Sequence, residues 1–317
     1  MKNWHILSLL AAILPLSTSL FAQSAMSGAT TEIGSPPHFV MAALAEAARQ
    51  SKNIDVNLEF PDDIAGAQVA VAKGQVDFAT IPVITTLLMR RGLGAFRFIG
   101  SVQGQNYADQ LRVVTGFNAG VYHALTFADS GIEDWDDFRD KRVFVGTQND
   151  GSSTLVQRLI KLVTGYKAND EYEAVKMNWT DGITGLLNGS VDVVIRPGAA
   201  PADFVDRILS SSDRKLRILG IPAEIAEGDR YQKFSTAPGS LPSFIPVKHY
   251  DSDRIEITNG GSTIAVMMAV VVNHDIDHDL VYGITKRYIE GFDDLSVAKP
   301  WVDSLILQAP FTGLHEK

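Results

Sequence analysis

A short motif occurs once in each half of the chain, as GQVDFATIP at residues 74–82 and as GSVDVVIRP at residues 189–197. In each copy a glycine follows an apolar run with helical spacing, an aspartate comes next, and an apolar segment ends at a proline. Glycine ends helices because it adopts left-handed backbone conformations, and proline ends strands because it lacks an N–H donor. Each copy therefore indicates the second half of a β-α-β unit. We expect two α/β lobes of similar construction with a ligand cleft between them.

The size and charge of the chain limit the classes of protein to which it can belong. At 317 residues the chain is long enough for two domains, and 45% hydrophobic with 21% charged residues is typical of a globular protein. The formal charge of −9, without a basic stripe in the sequence, excludes nucleic acid as a partner.

The first residues have the pattern of an export signal. Lys2 precedes an apolar stretch at residues 6–20, and a small residue, Ala22, follows. The stretch is short for a membrane span and is interrupted by Pro15, so a signal peptide at residues 1–22 and a periplasmic location are predicted. The chain has no cysteine, which excludes disulfides, cysteine metal sites and a lipid anchor on cysteine.

Strand and helix patterns alternate along most of the chain, which predicts a doubly wound sheet in each lobe. We assign residues 31–125 and 263–317 to lobe 1 and residues 130–260 to lobe 2, with hinges near Asp129 and Ser262. Further expectations are a flexible leader at 23–30, strands at 31–34 and 96–102, a loop-rich return at 234–262 and a short helix at 301–307. Residues 104–120 are expected to be irregular apart from residues 111–115, with a hairpin as the alternative.

A loop in the second half offers groups that could hold an anion. Gly151, Ser152, Ser153 and Thr154 stand between a predicted strand and a predicted helix. Free N–H groups at a helix start, with hydroxyl side chains beside them, suit a carboxylate or another anion. The alternative is that the serines simply cap the helix.

The matching turn of the first half contains Ser35, His38 and Phe39. In open α/β sheets ligands bind beyond the carboxyl ends of the strands, where both turns are expected to lie. Pro82 occupies a later strand end of the same lobe, and Trp179 occupies one of the second lobe. These residues are therefore candidates for ligand contact.

Arg196 interrupts an apolar strand end, where a guanidinium must find an acceptor. Two interpretations stay open: a ligand carboxylate, or a structural salt bridge with an acid such as Asp192 or Asp203.

Catalytic machinery is not visible in the sequence. The acidic residues are spread over helix starts, and the chain contains no Gly-x-Ser-x-Gly motif. The segment HDIDHD at residues 274–279 looks like a metal site, but acids at a helix start stabilise the helix without any metal. We expect a binding protein, with no catalytic residues, no metal and no cofactor.

Four segments together resemble a known family, the TAXI-type solute-binding proteins of tripartite ATP-independent periplasmic (TRAP) transporters. The similar segments are residues 128–143 (ADSGI…W.DF..KRV), residues 146–154 (G….GSST), residues 198–202 (GAAPA) and residues 275–292 (DID.DLVY..TK……F). They cover most of residues 120–295.

The resemblance implies a two-lobed periplasmic binding protein fold of type II and a receptor function. Such a receptor binds a small, anionic organic solute between its lobes and delivers it to the membrane subunits of a TRAP transporter. Related substrate-binding proteins of ABC importers for sulfonates, nitrate or pyrimidine precursors are the first alternative. A receptor coupled to a sensor protein and a secreted enzyme on the same fold are the others.

Three segments depart from the family pattern: residues 103–122 form a longer stretch than usual, Ser153 stands at the third position of the family's GSGT loop, and the first turn differs. The glycine-rich first turn of the family, GTGGPGGTYYP, is replaced here by residues 33–39 (IGSPPHF). The changes fall in the expected pocket, so glutamate-like ligands are a weaker expectation for this chain, and His38 and Phe39 favour a ligand with a hydrophobic portion.

Overall fold

The computed structural model describes residues 25–61, 63–148 and 151–291. The predicted signal peptide at 1–22, the end of predicted lobe 1 at 292–317 and the helix expected at 301–307 lie outside the described residues. Within those ranges, no helix has both the length and the apolar character that crossing a bilayer requires.

The protein has a mixed α/β fold, which confirms the predicted fold class. Its strands are β1 (Ala25–Ala29), β2 (Asp55–Glu59), β3 (Phe78–Pro82), β4 (Leu111–Phe127), β5 (Arg142–Phe144), β6 (Glu173–Val175), β7 (Val193–Gly198), β8 (Leu216–Ile218), β9 (Ser240–Phe244), β10 (Ile255–Ile257) and β11 (Ser262–Asn273). Its helices are α1 (Pro36–Lys52), α2 (Ile64–Ala72), α3 (Val83–Arg91), α4 (Gly100–Asp109), α5 (Gly151–Thr164), α6 (Trp179–Asn188), α7 (Asp203–Ser211), α8 (Ala223–Ala226), α9 (Asp229–Ser235) and α10 (His278–Glu290).

Two long antiparallel strands, β4 and β11, connect the two halves of the sheet. The strand order is β2-β1-β3-β11-β4-β7-β5-β6, with β1, β2 and β3 parallel on one side and β5, β6 and β7 parallel on the other. Residues 111–121 of β4 pair with β11, and residues 121–125 pair with β7. The proposed lobe boundaries fall at the end of β4 and the start of β11, and the division of the chain into these lobes stays a prediction.

Strand β11 has apolar residues on both of its faces, without the usual alternation of apolar and polar positions. Val270 and Val272 pack into the hydrophobic core on one face, and Ala269 and Val271 pack into a separate core on the other. Successive side chains of a strand point to opposite faces, so a strand covered on both faces needs apolar residues at every position.

The two copies of the sequence motif have the same structural role. In the first copy Asp77 accepts hydrogen bonds from the backbone N–H of Ser27 (2.8 Å) and from its hydroxyl (3.0 Å). In the second copy Asp192 accepts from the backbone N–H of Arg142 (2.8 Å) and from its guanidinium (2.7 Å). Each aspartate therefore ties the strand that follows it to the first strand of the same half, and in both halves the partners are 50 residues apart.

The glycines and prolines of the motif act as the sequence predicts. Gly74 and Gly189 have φ angles of 68° and 76°, the left-handed conformation that ends a helix. Strand β3 ends at Pro82, and β7 ends directly after Pro197.

Several segment expectations are wrong. Residues 31–34 form a turn, and the first strand lies earlier, at Ala25–Ala29, within the expected leader. That strand forms because it pairs with both β2 and β3. Residues 96–102 do not form a strand: Phe98 and Val102 are 72% and 80% exposed and have no sheet to cover them. Residues 104–120 belong to α4 and β4, and the return segment contains β9 and β10.

Candidate functional site

Arg196 is the most unusual side chain near the carboxyl end of β7. It lies in β7 with only 7% of its side chain exposed, and its guanidinium carbon is 4.2 Å from the ring centre of Phe204 and 5.2 Å from that of Trp179. Its Nη2 donates a hydrogen bond to Oε1 of Glu32 at 2.9 Å. The ionic partner of Arg196 is thus Glu32, in the turn after β1, and not Asp192 or Asp203, the two structural partners that the sequence suggested.

The guanidinium still has unused donors. Burial lowers the pKa of Arg196, and the nearby carboxylate of Glu32 opposes that shift. Among the described residues, neither Nε nor Nη1 of Arg196 has a hydrogen-bond partner, although both atoms are buried. Buried donors without acceptors are costly, so this arginine is suited to receive a further acceptor.

A buried chain of hydrogen bonds lies beside the arginine. His123 of β4 stands opposite Arg196 in the β4–β7 pairing, and its ring is 5.3 Å from that of Phe204. Its Nδ1 is 2.9 Å from the carbonyl oxygen of Val121, which can only accept, so Nδ1 carries the proton and Nε2 accepts from the hydroxyl of Tyr250 at 2.8 Å. That hydroxyl in turn accepts from the N–H of Ala202 at 3.1 Å.

The histidine of this chain is held neutral. The pKa of His123 is lowered to about 4, chiefly by burial and in smaller part by the positive charge of Arg196, while the hydrogen bond to Val121 opposes both effects. Sequence reasoning missed His123 and Tyr250, because both stand in segments without any motif.

The turn before α1 is organised by Ser35. Its hydroxyl accepts from the N–H of His38 at 3.3 Å and is 2.7 Å from the hydroxyl of Thr31, so Ser35 caps the helix. The Nδ1 of His38 accepts from the N–H of Gly34 at 3.1 Å, and Phe39 packs against the hydrophobic core. Ser35 and His38 therefore shape the segment that carries Glu32.

The start of α5 faces the start of α3. A side chain at Gly151 would lie 3.6 Å from the methyl group of Thr85, in the first turn of α3, which Pro82 precedes. The two helix starts come from different halves of the chain, so the structure brings Gly151 and Pro82 to one region, as the sequence suggests.

The hydroxyl residues of α5 have separate environments. Ser152 packs directly against Gly146, because a β-carbon added to Gly146 would lie 2.9 Å from the hydroxyl oxygen of Ser152. Ser153 is buried, and its hydroxyl accepts from the amide of Gln157 at 3.1 Å. Thr154 is exposed and lines a groove.

That groove has a volume of about 580 Å³ and is strongly basic. Among the described residues, its lining includes cationic side chains and no acidic one. The cationic residues are Arg97, Arg158, Lys161, Lys167 and Lys176. On a chain with a formal charge of −9, a groove of this kind draws anions toward the start of α5.

The HDIDHD segment has a structural explanation. Asp277 caps α10 by accepting from the N–H of Leu280 at 2.7 Å, and His274 lies 3.1 Å from Asp275. Within the described residues, no group of three or more His, Cys, Asp or Glu side chains is placed to hold a metal ion.

Solved structures with a similar fold are periplasmic solute-binding proteins. A TRAP solute-binding protein from Desulfovibrio desulfuricans, with bound sn-glycerol-3-phosphate, matches with a TM-score of 0.53 and 13% identity over 88% of this chain and 80% of that one. PhnD1 from Prochlorococcus marinus (MIT 9301), in complex with methylphosphonate, matches with a TM-score of 0.53 and 9% identity over 89% of this chain and 88% of that one. SsuA from Methylobacillus flagellatus KT is described as a periplasmic sulfonate-binding protein of an ABC transporter. It matches with a TM-score of 0.50 and 14% identity over 86% of this chain and 69% of that one.

The fold is therefore that of the periplasmic solute-binding proteins, with the candidate site beyond the strand ends. The model of the NMT1-like family matches residues 24–314, and the chain belongs to that family. The comparison with curated proteins found no match.

Proposed function

We propose that the protein is a periplasmic receptor that closes on a small organic anion and delivers it to membrane transport subunits. The observation that carries this proposal is Arg196, a buried cation beside two aromatic rings, with two donor nitrogens that lack acceptors among the described residues. A guanidinium presents paired donors that match a carboxylate, sulfonate or phosphonate, and the rings exclude water and strengthen the interaction.

The ligands of proteins with the same fold support an anion. The similar structures bind, by their descriptions, a phosphate ester and a phosphonate, and a third is described as sulfonate-binding. The basic groove beside Thr154 supports the same ligand class, since it would attract anions toward the predicted cleft.

The predicted ligand residues divide the task by chemistry. Arg196 would hold the anionic group, and the N–H groups and hydroxyls at the start of α5, from Gly151 to Thr154, would hold a second polar group. Trp179 would cover the bound solute, with His38 and Phe39 as the opposite wall. Binding needs no metal or cofactor in this scheme, and we assign the protein no enzymatic activity.

For the transport partner we propose the membrane subunits of a TRAP system, with the chain as a TAXI-type receptor, because of the four similar sequence segments. The sulfonate-binding neighbour favours an ABC importer as the second candidate. Co-purification of the tagged receptor with the membrane proteins encoded beside it distinguishes the two, because TRAP and ABC membrane subunits differ in size and in the presence of an ATPase.

Replacing Arg196 by alanine is expected to weaken binding of an acidic solute by about ten- to a hundredfold. This loss corresponds to a charge-assisted hydrogen bond of roughly 1.5–3 kcal/mol. The measurement is calorimetric titration with succinate, methanesulfonate, methylphosphonate and sn-glycerol-3-phosphate. Ser152→Ala is expected to cost less, about two- to tenfold, since a neutral hydrogen bond contributes about 1 kcal/mol.

Arg49→Ala is the matched control for this titration, because Arg49 pairs with Glu46 on the exposed surface of α1. Its affinity should equal that of the wild type. An Arg196→Ala protein that retains full affinity for the tightest anion would make Arg196 structural and would contradict the proposed site.

A further inference from the structure

Glu32 joins two distant parts of the chain at the candidate site. It stands 164 residues from Arg196 in sequence, in the turn between β1 and α1, and it contributes the carboxylate that contacts the buried guanidinium. The turn itself lies against the second half, because a side chain at Gly34 would be 3.9 Å from the carboxylate of Asp203. The Glu32–Arg196 pair thus crosses the predicted cleft.

The contact is incomplete in two respects. Arg196 gives one N–H to Glu32, through Nη2, although a guanidinium and a carboxylate can form two parallel hydrogen bonds. Glu32 is also 39% exposed while Arg196 is 7% exposed, so the carboxylate approaches from the solvent side and can return to water when another anion takes its place at Arg196.

We propose that Glu32 acts as an internal substitute for the anionic solute. In the ligand-free receptor its carboxylate occupies the anion position at Arg196 and holds the two lobes together, and the solute must displace it to bind. This inference rests on the proposed function, because it identifies the group that competes with the ligand at the same site.

The competition has a thermodynamic consequence. A contact that exists only in the closed form raises the population of the closed, ligand-free receptor. The same contact lowers the apparent affinity for an anion, because the solute must replace an existing interaction. A solute that bonds to Nη2 and to one of the free donors, Nε or Nη1, at the same time has the advantage over Glu32, so Glu32 selects for anions with two suitably spaced oxygens.

The first experiment measures the lobe distance without any ligand. The chain has no cysteine, so Ser101→Cys and Ser190→Cys, both at exposed positions, give a doubly spin-labelled receptor without other reactive thiols. In this background Glu32→Gln is expected to raise the ratio of open to closed molecules about tenfold, which equals about 1.4 kcal/mol. Pulsed electron–electron double resonance measures the distance between the two spin labels and should show a larger fraction of long distances.

Glu133→Gln is the matched control, since Glu133 is an exposed glutamate outside the candidate site. Its distance distribution should equal that of the wild type. In an Arg196→Met background the additional Glu32→Gln change should have no effect, because the partner is gone. Unchanged distances in Glu32→Gln alone would overturn the inference, even if the Arg196→Met protein fails to fold.

The second experiment separates this inference from the proposed function. Calorimetric titration of Glu32→Gln with succinate and with methylphosphonate is expected to show about three- to tenfold tighter binding of the anion that the wild type binds better. Weaker binding would make Glu32 a ligand contact and overturn the inference while the anion site stands. If instead Arg196→Ala keeps full affinity and Glu32→Gln still opens the receptor, the proposed anion site is wrong and Glu32 only fastens the lobes.

Discussion

Replacing Gly120 by alanine is expected to destabilise the protein by about 3–5 kcal/mol, by the sum of backbone strain and steric overlap. Gly120 has a φ angle of 112°, which residues with a side chain rarely adopt. A β-carbon at this position would also lie 2.1 Å from the carbonyl oxygen of Gly198 and 2.2 Å from its carbonyl carbon. Neither strand can move away cheaply, because Val121 of β4 pairs with Gly198 of β7.

Gly131→Ala is the control for Gly120→Ala. Gly131 has a similar positive φ angle, 76°, but no atom lies within 4 Å of the position of an added β-carbon. The Gly131→Ala variant should lose only the free energy that corresponds to backbone strain, about 1–2 kcal/mol of stability. Urea unfolding monitored by tryptophan fluorescence gives both values, and equal losses in the two variants would contradict the close approach of β4 to β7.

The position of Gly120 also links stability to the site. At this point β4 exchanges its pairing partner, from β11 to β7, and the register of β11 shifts opposite residues 118–121. The carbonyl that approaches Gly120 belongs to the same strand as Arg196. Strain introduced at Gly120 should therefore also displace the guanidinium from its contacts with Phe204 and Trp179.

The fold was predictable from local signals where glycine, proline and aspartate have fixed roles. Gly74 and Gly189 end helices because of their φ angles, and Asp77 and Asp192 fix the following strands in equivalent positions. These effects act over a few residues or through one recurrent bond. A single sequence therefore contains enough information to find both α/β halves.

The segments whose structure was predicted wrongly depend on contacts between residues that are distant in sequence. Residues 25–29 are small and polar enough to resemble a flexible leader, but they form a strand because two neighbouring strands supply hydrogen-bond partners. The apolar spacing around Phe98 and Val102 imitates a strand, and only the exposure of both side chains shows that no core covers them.

The same limit applies to the candidate site. Arg196 was identifiable because a cation at the end of an apolar strand needs an acceptor, and Trp179 was placed near it by the order of the strands. Glu32 could not be chosen among the many acids of the chain, since its pairing with Arg196 depends on how the two halves meet. His123 and Tyr250 are likewise joined by tertiary structure alone.

The stability of the protein is expected to fall by about 3 kcal/mol between pH 6.5 and pH 4 because of His123, in addition to the effect of other groups. The pKa of this histidine is 6.5 in the unfolded chain and about 4 in the folded protein, where burial disfavours the imidazolium. Between these values the unfolded state binds a proton that the folded state does not bind. The free energy of unfolding therefore decreases with falling pH, by up to about 1.4 kcal/mol per pH unit between the two pKa values, and this dependence fades above pH 6.5.

His123→Gln should remove this part of the pH dependence, although the variant itself is less stable because Tyr250 loses the acceptor at Nε2. The informative quantity is thus the slope of the unfolding free energy against pH, measured by urea titration at several values between 4 and 7. His278→Gln, which changes an exposed histidine at the start of α10, should keep the slope of the wild type. Parallel slopes for His123→Gln and the wild type would mean that the folded protein accepts the proton at His123. In that event the imidazole could not be as fully buried beside Arg196 as the structure places it, so the same measurement tests the water-excluded environment on which anion binding at Arg196 depends.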